Sequence, residues 1–193
     1  MTGSRPSIRT ALVVVDMQNG FIAPSAGAGV PGAERAVAAV SNWIDYAAAR
    51  GWPVLLTRDV NPFGGTGSSA EHDAALHPSV TSRGTVVDKG PGSAGGFSGF
   101  SAIPTATGAP PSTGGLSGLA EQLRTADINE LVVIGVAADV CVAATARDAR
   151  RLGYHVTVDL NATAFVGAHP GGKAAVIEEL RGCGVEIEGR QPE

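Results

Sequence analysis

Cysteine is scarce in this 193-residue chain. Cys141 and Cys183 are the only two, too few for a disulfide framework and in keeping with a reducing, cytoplasmic setting. Positive charge is scarce as well: 14 Lys and Arg stand against 18 Asp and Glu, a formal net charge of -4. That balance leaves no basic footprint for a nucleic acid. No apolar run approaches the ~20 residues that cross a bilayer as a helix. The opening Met-Thr-Gly-Ser-Arg-Pro-Ser lacks the apolar core of a signal peptide. No Gly-x-Gly-x-x-Gly follows the first apolar run, which argues against a dinucleotide-binding protein, and no internal repeat is present.

What remains is the composition of a globular domain, with 44% hydrophobic and 17% charged residues. The expectation is one domain over residues 1–193, with residues 1–10 as a flexible N-terminus. Five apolar runs read as buried strands: Ala11–Val15, Val54–Thr57, Thr85–Val87, Leu131–Val136 and His155–Val158. A short sixth, Val185–Ile187, closes the chain. Between most of them lie apolar residues at helical spacing: Val37, Val40, Ile44 and Ala47; Leu116, Leu119 and Leu123; Val142, Ala146 and Ala149; Val176, Ile177 and Leu180. Strands alternating with helices predict an α/β fold with a mostly parallel sheet covered on both faces. Right-handed crossovers place the carboxyl ends of such strands on one edge, where these sheets bind ligands. Two long irregular stretches, 61–84 and 90–114, begin just after predicted strands and are expected to form a lid or pocket wall.

Three ionisable residues fall at or just beyond strand ends. Asp16 follows Val-Val-Val, Lys89 follows Val-Val-Asp, and Cys141 follows the run ending near Val136. Taken singly, each has a plain alternative: a cap on a turn, a solvated charge, a small buried core residue. Together they predict one pocket holding an acid, a base and a thiol. A carboxylate can take the thiol proton and an ammonium can stabilise the sulfur anion. The segment from Leu131 to Arg147 sharpens this, because a thiol at a strand-to-helix junction meets helix amides and the positive end of the helix dipole. That setting predicts a stabilised thiolate.

Val-Val-Val-Asp-Met-Gln-Asn-Gly-Phe (13–21), Lys-Gly followed by Phe-Ser-Gly-Phe (89–100) and Gly-Val-Ala-Ala-Asp-Val-Cys-Val-Ala-Ala-Thr-Ala-Arg-Asp-Ala (135–149) resemble the signature blocks of the isochorismatase-like cysteine hydrolases. The chain is most similar to the nicotinamidase/pyrazinamidase branch. Val30-Pro31-Gly32, Thr57-Arg58-Asp59, Leu76-His77-Pro78 and Glu178-Glu179-Leu180 fall in the order seen there. The resemblance implies a three-layer α/β/α fold and a small-molecule amide substrate. It also implies a homo-oligomer, although the residues themselves do not reveal an oligomeric state. By position it makes Cys141 the nucleophile, Asp16 the proton shuttle and Lys89 the electrostatic partner. It further implies a cis peptide between Val136 and Ala137, an oxyanion hole from the backbone amides of Ala137 and Cys141, and substrate contacts from Phe21 and Phe97.

The pattern departs from the branch at its metal site, usually built from an Asp-x-His element and further histidines. Here the element reads Asp59-Val60-Asn61, and the loop that follows it, Pro62 to Ala75, offers only His72. Asp59 and Asn61 therefore read as a degenerate site, and no cofactor is expected, because oxygens with one nitrogen suit zinc or iron poorly. Gly20 stands where the branch often has Asp. The function expected is hydrolysis of a small carboxamide through a Cys141 thioester. Two alternatives stand beside it: an isochorismatase-type vinyl ether hydrolase, which needs no thiol, and a non-catalytic small-molecule binder. Cys183, in Gly-Cys-Gly, reads as structural, and Arg58 as a residue orienting a loop or an anion.

Overall fold

A computed structural model describes residues 8–25, 29–60, 62, 66–102 and 116–189. Six strands form one sheet: β1 (Thr10–Val15), β2 (Val54–Asp59), β3 (Thr85–Lys89), β4 (Glu130–Val136), β5 (His155–Ala164) and β6 (Glu186–Glu188). Their order is β3-β2-β1-β4-β5-β6, and every pairing is parallel. The expected sheet is thus present, and it is parallel throughout. β5 runs six residues past its predicted end at Val158. A register shift against β4 between Val133 and Gly135 lets the extra length continue to pair, as far as Ala164 with Val136.

The central strands are buried on both faces, so their residues divide by parity. Leu12 and Val14 of β1, with Val132, Ile134 and Val136 of β4, pack into one core. That core is shared with α1 (Asn19–Ile22) and with Val40, Ile44 and Ala47 of α2 (Ala33–Ala49). Ala11, Val13 and Val15, with Leu131 and Val133, face a second core on the opposite side. That side is covered by α4 (Gly118–Thr125), α5 (Ala143–Arg151) and α6 (Gly172–Gly182). The result is three layers. No helix among the described residues is long and apolar enough to cross a membrane.

Two expectations change. The stretch 61–84 is not wholly irregular: α3 (Ser68–Ala74) forms within it, and Leu76 bridges back to Gln18. The sequence hid this helix because α3 buries none of its residues and so carries no apolar periodicity. Leu116 lies outside α4, where the Ser117 hydroxyl accepts from the Leu119 amide and caps the first turn. Residues 103–114 of the second irregular stretch lie outside the described residues.

Strand order reverses beside β1, because β2 and β3 lie on one side of it and β4, β5 and β6 on the other. A crevice opens at such a switch point at the carboxyl ends of the strands. Here those ends belong to β1 and β4, paired as far as Val15 with Gly135. Gly135 has φ 112°, and a Cβ there would lie 2.1 Å from the carbonyl oxygen of Val15. Only a bare backbone lets the two strands approach this closely. Gly135→Ala is therefore expected to lose more than ~3 kcal/mol of stability, combining backbone strain with overpacking. Gly153→Ala, at φ 95° with open space around it, should lose only about 1 kcal/mol. Urea unfolding midpoints of the two variants check this, and equal losses would contradict it.

Candidate active site

Asp16 leaves β1 with φ 48°, a left-handed conformation that aspartate tolerates better than most residues. Its amide donates to the carbonyl and to the hydroxyl oxygen of Thr57, each at 3.2 Å. The Thr57 hydroxyl in turn donates to Asp16 Oδ1 at 2.8 Å. Oδ2 stands 2.9 Å from Lys89 Nζ, in an ion pair whose two side chains have 0% exposure. It has no further hydrogen-bond partner among the described residues, so it retains capacity to accept a proton.

Lys89 ends β3, two strands away from β1. At about 4.8 Å per strand the gap is ~10 Å, which only a long side chain reaches across. Its ammonium approaches Cys141 Sγ at 3.7 Å, the Gly96 carbonyl oxygen at 3.4 Å and Asp59 Oδ2 at 3.9 Å. Cys141 lies in a π-helical turn, Ala138–Val142, that leads into α5. The three strand-end residues therefore meet, as the sequence predicts.

Burial pushes the Asp16 carboxyl up from the ordinary carboxylate range, while Lys89, Thr57 and Cys141 pull it down. Burial also works against the Lys89 ammonium, but Asp16, Cys141 and Asp59 together outweigh that and hold it above its usual value. The thiol goes the other way from expectation. Burial pushes Cys141 up, the Asp16 carboxylate adds to this, and Lys89 opposes it without reversing it. The stabilised thiolate expected from the sequence thus finds support in the Lys89 ammonium and opposition in burial and the Asp16 carboxylate, with the balance on the side of the thiol.

A cavity of about 560 Å³ opens above Cys141. Phe21, Val30, Phe97, Ala137, Val140 and Val166 give it apolar walls, so both phenylalanines singled out from the sequence face it. Ala137 lines it beside Cys141, and the Val136–Ala137 peptide is cis. Both irregular stretches contribute, through Pro62 and through Gly92 and Ser93. Arg58 faces elsewhere, held by Asp88 in a two-point pair at 2.7 and 3.0 Å. Cys183 is exposed and caps the end of α6.

Asp59, 3% exposed, accepts the Gly92 amide at 2.7 Å. Its backbone is clamped by Gln18, which accepts from the Asp59 amide at 2.9 Å and donates to the Asp59 carbonyl at 3.0 Å. Gln18 also donates to the Ala74 carbonyl oxygen at 2.7 Å, tying α3 to this edge. Sequence reasoning missed Gln18, Thr57 and also Asp139. The Asp139 carboxylate accepts the amides of Val166 and Ala168 and so fixes the wall that carries Val166. Their signal was present only as polar residues inside the quoted blocks.

Asn61 of the degenerate metal site lies outside the described residues. His72 is exposed on α3 and does not line the cavity. Among the described residues no three His, Cys, Asp or Glu side chains are grouped to hold a metal. Among the described residues, Asp59 is turned to the Gly92 amide and the Lys89 ammonium, and its neighbours do not make up a donor set suited to zinc or iron.

The isochorismatase domain profile matches residues 10–191. The nicotinamidase/pyrazinamidase of Mycobacterium tuberculosis is 32% identical over 194 residues, covering 92% of this chain and 97% of that protein. Two solved structures share the fold. The yeast nicotinamidase bound to nicotinaldehyde has a TM-score of 0.74 at 24% identity, covering 94% of this chain and all (100%) of that one. The Pyrococcus horikoshii pyrazinamidase in complex with zinc has a TM-score of 0.73 at 24% identity, covering 95% and 99%.

The thiol's environment makes a prediction about charge. In a Cys183→Ser background, alkylation of Cys141 by iodoacetamide should be slow at neutral pH and accelerate in the alkaline range. Asp16→Asn removes a charge that opposes ionisation, so its alkylation midpoint should fall by at least about one pH unit. Mass spectrometry across pH reads the midpoint, and an unchanged value in Asp16→Asn would contradict the geometry.

Proposed function

The chain belongs to the isochorismatase family, and within it we propose that it is a cysteine amidohydrolase that converts a small carboxamide to the acid and ammonia. One observation carries this reading: Asp16, Lys89 and Cys141 meet at the base of a largely apolar cavity. The similarity to a nicotinamidase/pyrazinamidase supports the same class.

The resting state holds a thiol, a carboxylate and an ammonium. As Cys141 attacks the amide carbon, its proton passes to Asp16 Oδ2, the oxygen with room to accept it. Base and nucleophile act together, so the enzyme needs no free thiolate. Burial raises the basicity of Asp16, and Lys89 keeps it ionised until substrate arrives. The carbonyl oxygen gathers negative charge against the amides of Ala137 and Cys141. Asp16 then delivers its proton to the departing nitrogen, the C–N bond breaks, ammonia leaves and a thioester remains. Water attacks the thioester carbon, Asp16 takes the water proton, and the acid departs as that proton returns to sulfur.

No step passes through a metal, since the described donors around Asp59 do not make up a set that fits one. We therefore propose that turnover proceeds without a transition metal. A panel of nicotinamide, pyrazinamide and small aliphatic amides, assayed for ammonia, tests the class. Cys141→Ala should reduce turnover of any accepted amide by at least about a thousandfold, and chelator should leave wild type unaffected. Retained amide turnover in Cys141→Ala, or pyruvate rather than ammonia from a vinyl ether substrate, would overturn the reading.

A further inference from the structure

Asp59 is a second buried carboxylate at this site, and the proposed chemistry does not use it. It lines the cavity and is fixed there by the Gly92 amide and by the two-point clamp of Gln18 on its backbone. Behind Cys141 stand Asp16 and Lys89, both fully buried. The group thus holds two carboxylates and one ammonium, an excess of one negative charge. Lys89 lies 2.9 Å from Asp16 and 3.9 Å from Asp59, so its single charge is shared.

Among the described residues that line the cavity, Asp59, Ser93 and Cys141 are the polar side chains. None is a cation. Arg58, adjacent in sequence, is paired with Asp88. The internal segments outside the described residues, 26–28, 61, 63–65 and 103–115, contain no ionisable residue. The remaining walls are aromatic and aliphatic.

Resting on the amidase reading above, we infer that this cavity takes an uncharged carboxamide with an apolar acyl group. Asp59 makes it reject amides that also carry a carboxylate. An anionic substrate would lose its hydration on entry and meet, among the described residues, only the Lys89 ammonium, whose charge two carboxylates already share. At a separation of ~7 Å and an effective dielectric of ~20, repulsion between like charges alone corresponds to about 50-fold in affinity.

Benzamide and 4-carbamoylbenzoate differ by one carboxylate and make the test. Their binding to Cys141→Ala is measured by calorimetry, and their hydrolysis by wild type is measured as ammonia release. Benzamide is expected to bind at least about 50-fold more tightly. Asp59→Asn, which keeps the shape and removes the charge, should narrow that gap at least about fivefold. Equal affinities for the two amides would overturn the charge selection, whether or not either is hydrolysed. A gap that persists undiminished in Asp59→Asn would overturn the role of Asp59. Should no amide release ammonia while the affinity gap stands, the amidase reading falls and the charge selection holds.

Discussion

The ion pair between Asp16 and Lys89 is the constraint around which this site is arranged. Both side chains are withdrawn from solvent, with 2.9 Å between nitrogen and oxygen. Taking two charges out of water costs several kcal/mol each after relaxation, and mutual attraction repays that only when geometry and further hydrogen bonds are good. The surroundings supply those bonds: the Thr57 hydroxyl on Asp16 and the Gly96 carbonyl oxygen on Lys89. An apolar pair of equal volume would stabilise such a core as well or better. Stability therefore does not account for the pair. In the proposed reaction, chemistry at Cys141 does, because the carboxylate would supply a proton acceptor and the ammonium would keep that acceptor charged away from solvent.

The strand order is what makes the pair and the thiol neighbours. β1 and β4 are adjacent at the point where the sheet reverses direction of growth, so Asp16 and Cys141 emerge side by side. Gly135 lets those strands close up. Lys89 arrives from β3, and the strand it must cross contributes Thr57 and Asp59 on the way. Strands β3 and β2 and the residue following β1 thus each contribute to the site, and Cys141 joins them from the helical turn that follows β4. Scaffold placement of this kind holds geometry more firmly than loop placement.

Much of this was legible in the residues, for a physical reason. Buried parallel strands are apolar along their length, so the first ionisable residue after Val13–Val15, or after Val86–Val87, marks the strand end and the ligand edge together. The helices that bury a face announced themselves by spacing, as with Val40, Ile44 and Ala47. The helix that buries nothing, α3, did not. What opposes the Cys141 thiolate was not legible, because the sequence displays the helix dipole but not the depth of burial or the neighbouring Asp16 carboxylate. Asp59 could be read only as a broken metal ligand. Its actual partners, the Gly92 amide and the Lys89 ammonium, come from β3 and the turn after it, about thirty positions further along the chain.

Asp59 and Asp16 together give the proposed reaction a direction. The amide that enters is neutral and finds largely apolar walls above Cys141. Hydrolysis replaces it with an acid, which becomes a carboxylate once its own proton passes to solvent at the cavity mouth and then faces two carboxylates that share one ammonium. The ligand that fitted becomes the ligand the cavity disfavours, by the same electrostatic repulsion that excludes an anionic substrate. Product release then needs no separate device, since the charge created by the chemistry works against its own retention. With Asp59 facing Gly92 and Lys89, the product of the proposed reaction is a poorer occupant of the cavity than its substrate.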